Sequence, residues 1–127
     1  MGNPFAGRVA PLRLRAGQIV VVDWRDGPPN EANKLRPAVV VEDTELFDPS
    51  FPNVLLVPLT DDLDFAIPAL SVPIDPTPEN GCSGPCRALA HGVTATSKRR
   101  VRPTDSTIAS AQLDRIRQLI GVALGLS

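Results

Sequence analysis

Short apolar runs, punctuated by proline and glycine, dominate the first three quarters of the chain. Gly17–Trp24 (GQIVVVDW), Arg36–Val41 (RPAVVV), Val54–Thr60 (VLLVPLT) and Ala69–Ile74 (ALSVPI) are six to eight residues long and mostly rich in β-branched side chains. Such runs predict strands: β-branched residues suit a pleated surface, and the runs are too short for typical helices. A weaker strand is expected at Cys86–His91, followed by the basic stretch Lys98–Arg102 (KRRVR). Between the first two runs lies Arg25–Leu35 (RDGPPNEANKL), a polar connection far longer than the ~2–5 residues of a plain hairpin, and loops of that kind tend to carry function.

Near the C-terminus the period changes. Leu113, Ile116, Leu119, Ile120, Ala123 and Leu124 recur at three- and four-residue spacing, which predicts one amphipathic helix with Ser110 as its N-cap and Gly125 at the left-handed position past its end. Several strands followed by a single helix is not the alternating order of a parallel sheet. The expected fold is therefore mainly β with a C-terminal helix, a small, antiparallel, partly closed barrel with the helix packed on it. Residues 1–15 read as a flexible N-terminal arm and 16–127 as a single domain.

Composition narrows the function. The chain has 127 residues, 43% of them hydrophobic, with 13 Lys or Arg against 14 Asp or Glu and a formal net charge of -1. A chain of this size can bury a core without disulfides or a structural metal. No apolar run approaches the ~18 residues of a membrane span, and the start lacks a signal-type apolar region, so a cytoplasmic protein is expected. Cys82 and Cys86 stand four apart without CxxC spacing, and His91 is the single histidine. Neither a metal site nor a cofactor is expected from such a ligand set, and the thiols should be reduced. The balanced charge also excludes coating of long nucleic acid by electrostatics alone, so any contact with nucleic acid must be local.

Arg36 precedes Pro37 at the start of the second run, where its guanidinium can stand at the barrel rim and clamp a phosphate, or pair with a carboxylate such as Glu31. Thr60 ends the third run before the acidic turn Asp61, Asp62, Asp64, where its hydroxyl can reach a phosphate oxygen or cap the turn. Glu31 in the polar loop and His91 after the fifth run can each take a proton from a substrate hydroxyl. Lys34 and the run Lys98, Arg99 and Arg100 can contact a phosphate backbone, with a solvated basic edge as the other reading of the run. Trp24 can stack a base, although with one Trp, four Phe and no Tyr it is expected to be mostly core.

In order, GQIVVVDW, a polar loop containing Glu31, RPAVVV, VLLVPLT, a basic segment ending KRRV and a terminal helix finishing ALGL resemble the MazF/PemK family of bacterial toxin–antitoxin toxins, over residues 17–126. The resemblance implies an SH3-like barrel, a homodimer, and a metal-independent endoribonuclease that cuts single-stranded RNA at short motifs, held in check by a cognate acidic, MazE-like antitoxin. By the same resemblance Arg36 matches the family's catalytic arginine, Thr60 its catalytic threonine, and Glu31 the acidic position common in the first loop. The chain departs from the common pattern at Asp61, Cys86 and Gly92. Two other readings come from different classes: a CcdB-type toxin of the same fold that binds DNA gyrase without cutting nucleic acid, and a barrel-like binding module or regulatory partner.

Overall fold

The computed structural model describes residues 13–24 and 35–126. Among them the chain forms strands β1 (Gln18–Asp23), β2 (Leu35–Val40), β3 (Asn53–Thr60), β4 (Ser71–Ile74), β5 (Cys86–Leu89), β6 (Thr94–Ser97) and β7 (Val101–Thr107), several 3-10 turns, and one helix, α1 (Ser110–Ala123). Every strand pairing is antiparallel, in the order β4-β5-β3-β2-β1-β7. The central strand, β3, has β2 along one edge; along the other, β6 pairs with Asn53–Leu56 and β5 with Leu59 and Thr60. The strands do not close into a ring, and the gap is spanned where the Thr107 N–H donates to the Glu79 carbonyl at 2.9 Å. This is the expected small antiparallel barrel, closed in part.

The apolar runs are nearly continuous because the inner strands are covered on both faces. One face presents Ile19, Val39, Val57 and Leu59 to Ile108, Leu113, Ile116 and Leu119 on and before the helix. The other gathers Val20, Val22, Ala38, Val40, Val54 and Leu56 with Val101, Leu14 and the half-buried Trp24. Leu14 thus packs on the barrel from within the stretch read as an arm, whose first twelve residues lie outside the described ones.

Two strands escaped the sequence reading. TATS and VRPTDST are short and polar, and they become strands by pairing with distant partners: β6 with β3, and β7 with β1 through Val20–Pro103 and Val22–Val101. The Gln18 amide and the Thr104 hydroxyl stitch β1 to β7 across a register shift, Gln18 Nε2 donating to the Thr104 carbonyl at 2.8 Å and Thr104 Oγ1 to the Ile19 carbonyl at 2.6 Å. The basic stretch is split accordingly, Lys98–Arg100 forming a 3-10 turn and Val101 opening β7. The weak fifth strand ends at Leu89, so His91 falls in the 3-10 turn Ala90–Gly92.

The helix is held at both ends. Ala109, not Ser110, occupies the N-cap position; Gln112 Oε1 accepts the Ala109 N–H at 2.9 Å, which supplies part of what a Ser cap would give. At the other end Gly125 adopts φ +78°, Leu126 N–H donates to the Gly121 carbonyl and Gly125 N–H to that of Val122, a Schellman closure as the sequence predicts. Arg117 pins the helix to the barrel, its Nε and Nη2 donating to the carbonyls of Val41 and Glu42 at 2.9 and 3.0 Å. No helix among the described residues is long and apolar enough to cross a membrane.

Candidate functional site

The β2–β3 ladder pairs Val40 with Leu56, Val39 with Val57 and Ala38 with Pro58, and there it stops. Proline has no N–H to give, and Pro37 follows on the facing strand, so the two strands lose their ladder bonds at this end. Carried two residues further, the same register sets Arg36 beside Thr60. Both residues border one groove of about 670 Å³.

The far wall of the groove is the segment from Asn80 to Cys86, with Thr104 and Ser106 of β7 alongside. Asn80, 3% exposed, holds this wall together. Its Oδ1 accepts the N–H groups of Thr77 at 3.0 Å and Cys82 at 2.9 Å, while Nδ2 donates to the Asp75 carbonyl at 2.8 Å. A buried amide with its bonds made fixes the loop, and the same group unpaired would destabilise it. Gly81 lies at φ +64°, a conformation that favours glycine, and a Cβ there would meet the Ser106 hydroxyl at 2.8 Å, so glycine lets the wall approach β7 without strain.

Thr60 Oγ1 accepts the Asp62 N–H at 3.0 Å, the turn-capping role the sequence suggested. That bond uses a lone pair and leaves the hydroxyl hydrogen available as a donor. Arg36 is exposed and makes no ion pair among the described residues, while Glu31, its suggested partner, lies outside them, as does Lys34. A guanidinium and a hydroxyl hydrogen at one groove rim together offer donors to a phosphate.

Both thiols line the groove and are free. Burial pushes the Cys86 thiol up to about 12, with smaller contributions from Cys82, Asp61 and Asp75. A raised pKa leaves less thiolate at any given pH, here on the order of 10²–10³ less at pH 8 than in an ordinary cysteine. Iodoacetamide at pH 8 should therefore label Cys86 far more slowly than an unfolded control, followed by mass spectrometry of the peptides; equal rates would contradict this environment.

Other residues singled out by sequence lie apart from this groove. His91 is exposed on the turn that packs against α1 and does not border the groove. Trp24 packs against the second apolar cluster. Lys98 Nζ donates to the Pro49 carbonyl at 3.0 Å and lines a separate cavity of about 160 Å³ with Arg13 and Asp48. Hydrogen bonds from Ser50 lower the Asp48 carboxyl, helped by the charges of Arg13 and Lys98. Arg99, Arg100 and Arg102 surround a further concavity of about 340 Å³ with Asp23. In the acidic turn, Asp62 caps a 3-10 turn through the Asp64 N–H. Among the described residues no group of three or more His, Cys, Asp or Glu side chains is placed to hold a metal ion.

The sequence reading passed over Arg87, which sits directly opposite Thr60 in the β3–β5 ladder and donates from Nη1 to Ser71 Oγ at 2.8 Å. Its signal was a single charge inside the otherwise apolar run CRALA.

Residues 15–124 match the family model of the PemK-like, MazF-like toxin of type II toxin–antitoxin systems. No curated protein matches the chain. Solved structures similar to it include the Mycobacterium tuberculosis toxin MazF-mt6, with TM-score 0.67 and 21% identity over 87% of this chain and 98% of that one. An endoribonuclease in complex with its cognate antitoxin, from a mycobacterial species, gives TM-score 0.67 and 22% identity over 93% and 98%. A MazE–MazF structure from Deinococcus radiodurans gives TM-score 0.66 and 23% identity over 88% and 96%. At these identities the structural likeness speaks for the fold.

Proposed function

Since the chain belongs to the PemK-like, MazF-like toxin family of type II toxin–antitoxin systems, we propose that it is the toxin of such a pair and a metal-independent endoribonuclease acting on single-stranded RNA. The observation that carries this reading is the meeting of Arg36 and Thr60, 24 positions apart in sequence, at the rim of one groove.

The chemistry needs little more from the protein. In RNA cleavage of this type the 2′-hydroxyl gives its proton to a base and attacks the adjacent phosphorus, the bond to the 5′-oxygen breaks and that oxygen takes up a proton from water, so that a 2′,3′-cyclic phosphate and a 5′-hydroxyl result. Negative charge grows on the non-bridging oxygens in between. Arg36 supplies a fixed cation and Thr60 a hydroxyl donor at that charge, and both act most strongly where water is partly excluded. Arginine, with a pKa above about 12, is a clamp before it is an acid. Of the two residues able to accept the 2′-hydroxyl proton, His91 stands away from the groove, and Glu31, in the segment leading to Arg36, is the one retained.

The concavity bordered by Arg99, Arg100 and Arg102 is a further place for backbone phosphates, with Trp24 and Lys98 as more peripheral RNA contacts and Lys34 a candidate by its sequence position alone. Similar structures include antitoxin complexes, which supports a cognate antitoxin here; an acidic one would neutralise such local positive regions, on a homodimer of this chain. Incubating the protein with mixed single-stranded RNA in EDTA should yield discrete fragments with 2′,3′-cyclic phosphate and 5′-hydroxyl ends. Intact RNA after incubation with folded protein, or cutting only when Mg²⁺ is added, would overturn the proposal; intact RNA would leave a binding-only toxin.

A further inference from the structure

We propose that Arg87 is a second phosphate-contact residue, holding a backbone phosphate adjoining the one held by Arg36 and Thr60; this rests on the ribonuclease reading above. Two register relations and the extension of a third beyond the end of its ladder place it. Thr60 faces Arg87 across β3 and β5, Arg87 faces Pro73 across β5 and β4, and the β2–β3 register carried on from Ala38–Pro58 brings Arg36 to Thr60. Directly opposed residues on neighbouring strands share a face of the sheet, so Arg36, Thr60 and Arg87 form one row on one face. With strands about 4.8 Å apart, the two arginines start about 10 Å from one another on either side of the threonine, and their side chains are long enough to serve neighbouring phosphates of one strand. The substrate then crosses the strands instead of following them.

The environment of Arg87 sets it apart from a structural arginine. It is only half exposed, and a partly desolvated guanidinium is costly unless its donors are used. Arg117 shows the satisfied case, with two carbonyl acceptors fastening helix to sheet. Arg87 gives one N–H to the neutral hydroxyl of buried Ser71, and among the described residues it has no carboxylate partner. Among the described residues four of its five N–H donors have no protein acceptor, which leaves them for an anion arriving from solvent. Ser71 orients the fork without neutralising it, which suits a residue that waits for a phosphate.

The test measures binding of a mixed-sequence oligonucleotide carrying 2′-O-methyl riboses, which cannot be cut by this chemistry, over a series of salt concentrations. Losing one phosphate contact to a single strand should lower the slope of log K against log salt by about 0.7. Arg87→Ala should show that drop, with affinity reduced roughly ten- to a hundredfold at low salt, the scale of one charge-assisted hydrogen bond. Arg87→Lys should restore the slope and part of the affinity, because the charge returns without the fork. On cleavable RNA the loss should fall on KM more than on kcat. A merely structural Arg87 would lower the melting temperature, as Ser71→Ala also would, and leave the salt slope alone. An unchanged slope in Arg87→Ala, with wild-type protein binding and cutting RNA, overturns the assignment of Arg87 by itself. Wild-type protein that shows no salt-dependent binding overturns the ribonuclease reading and this one with it.

Discussion

Arg36→Ala is expected to reduce RNA cleavage by at least about 10²–10³, the scale of removing one fixed donor from a developing oxyanion, and to leave the fold as it is. The asymmetry follows from where the residue stands. Arg36 is exposed at the end of β2, beyond the point where the β2–β3 ladder stops, and it makes no ion pair among the described residues. Surface substitutions of this kind usually change stability by less than about 0.5 kcal/mol. Arg36→Lys should recover little, since a point charge cannot reproduce a planar fork on two phosphate oxygens. Thr60 gives the companion result. Thr60→Ala removes both the donor to phosphate and the acceptor for the Asp62 N–H, whereas Thr60→Ser keeps both, so serine should retain part of the activity that alanine loses. Rates on a defined RNA, beside circular dichroism spectra, check all of these. Full activity in a folded Arg36→Ala protein would remove the arginine from the chemistry, and equal losses in the two threonine variants would make Thr60 a packing residue.

A substrate with 2′-deoxyribose at the cut position should not be cleaved at all. The effect is larger than that of any single side chain because the substitution deletes the nucleophile itself, which no residue in the groove replaces in this mechanism. The same oligonucleotide should still bind, since the phosphates and the groups that clamp them are unchanged. Running it beside the all-ribose version, with binding measured separately, distinguishes loss of chemistry from loss of contact. Cleavage at the deoxy position would mean that water is the attacking group and that Arg36 and Thr60 serve a different reaction.

The elements legible from sequence were those whose signal is local. Runs such as VVVD and AVVV are short and β-branched and read as strands, which the structure covers on both faces, and Gly125 marks the helix end because φ +78° is open to glycine and to few other residues. What escaped is held by distant partners. VRPTDST has a proline and an aspartate within seven residues and is a strand only because β1 lies beside it. Asn80 gives no sign in sequence that its amide ties Asp75, Thr77 and Cys82 into a wall of the groove. Ser110 is a better capping residue than Ala109 and yet sits one place inside the helix, where the contacts of Leu113 and Ile116 fix the start. In the site, Arg36 and Thr60 were readable because each bounds an apolar run, Arg36 opening one and Thr60 ending another. Arg87 was hidden within one, and its relation to Thr60 exists only in the β3–β5 ladder.

A sheet covered on both sides also decides where the molecule breathes. Amides of β1, β2 and β3 have apolar side chains above and below and a bonded strand on either edge over much of their length. They are exposed to solvent only when the domain opens as a whole. Edge strands and loop segments can open in smaller excursions that cost less. Arg36 stands where β2 begins and Thr60 where β3 ends, each still paired on its outer side, with Val22 and Arg87, so the two are expected to keep their spacing through fluctuations that let the surrounding loops part and an RNA strand come and go.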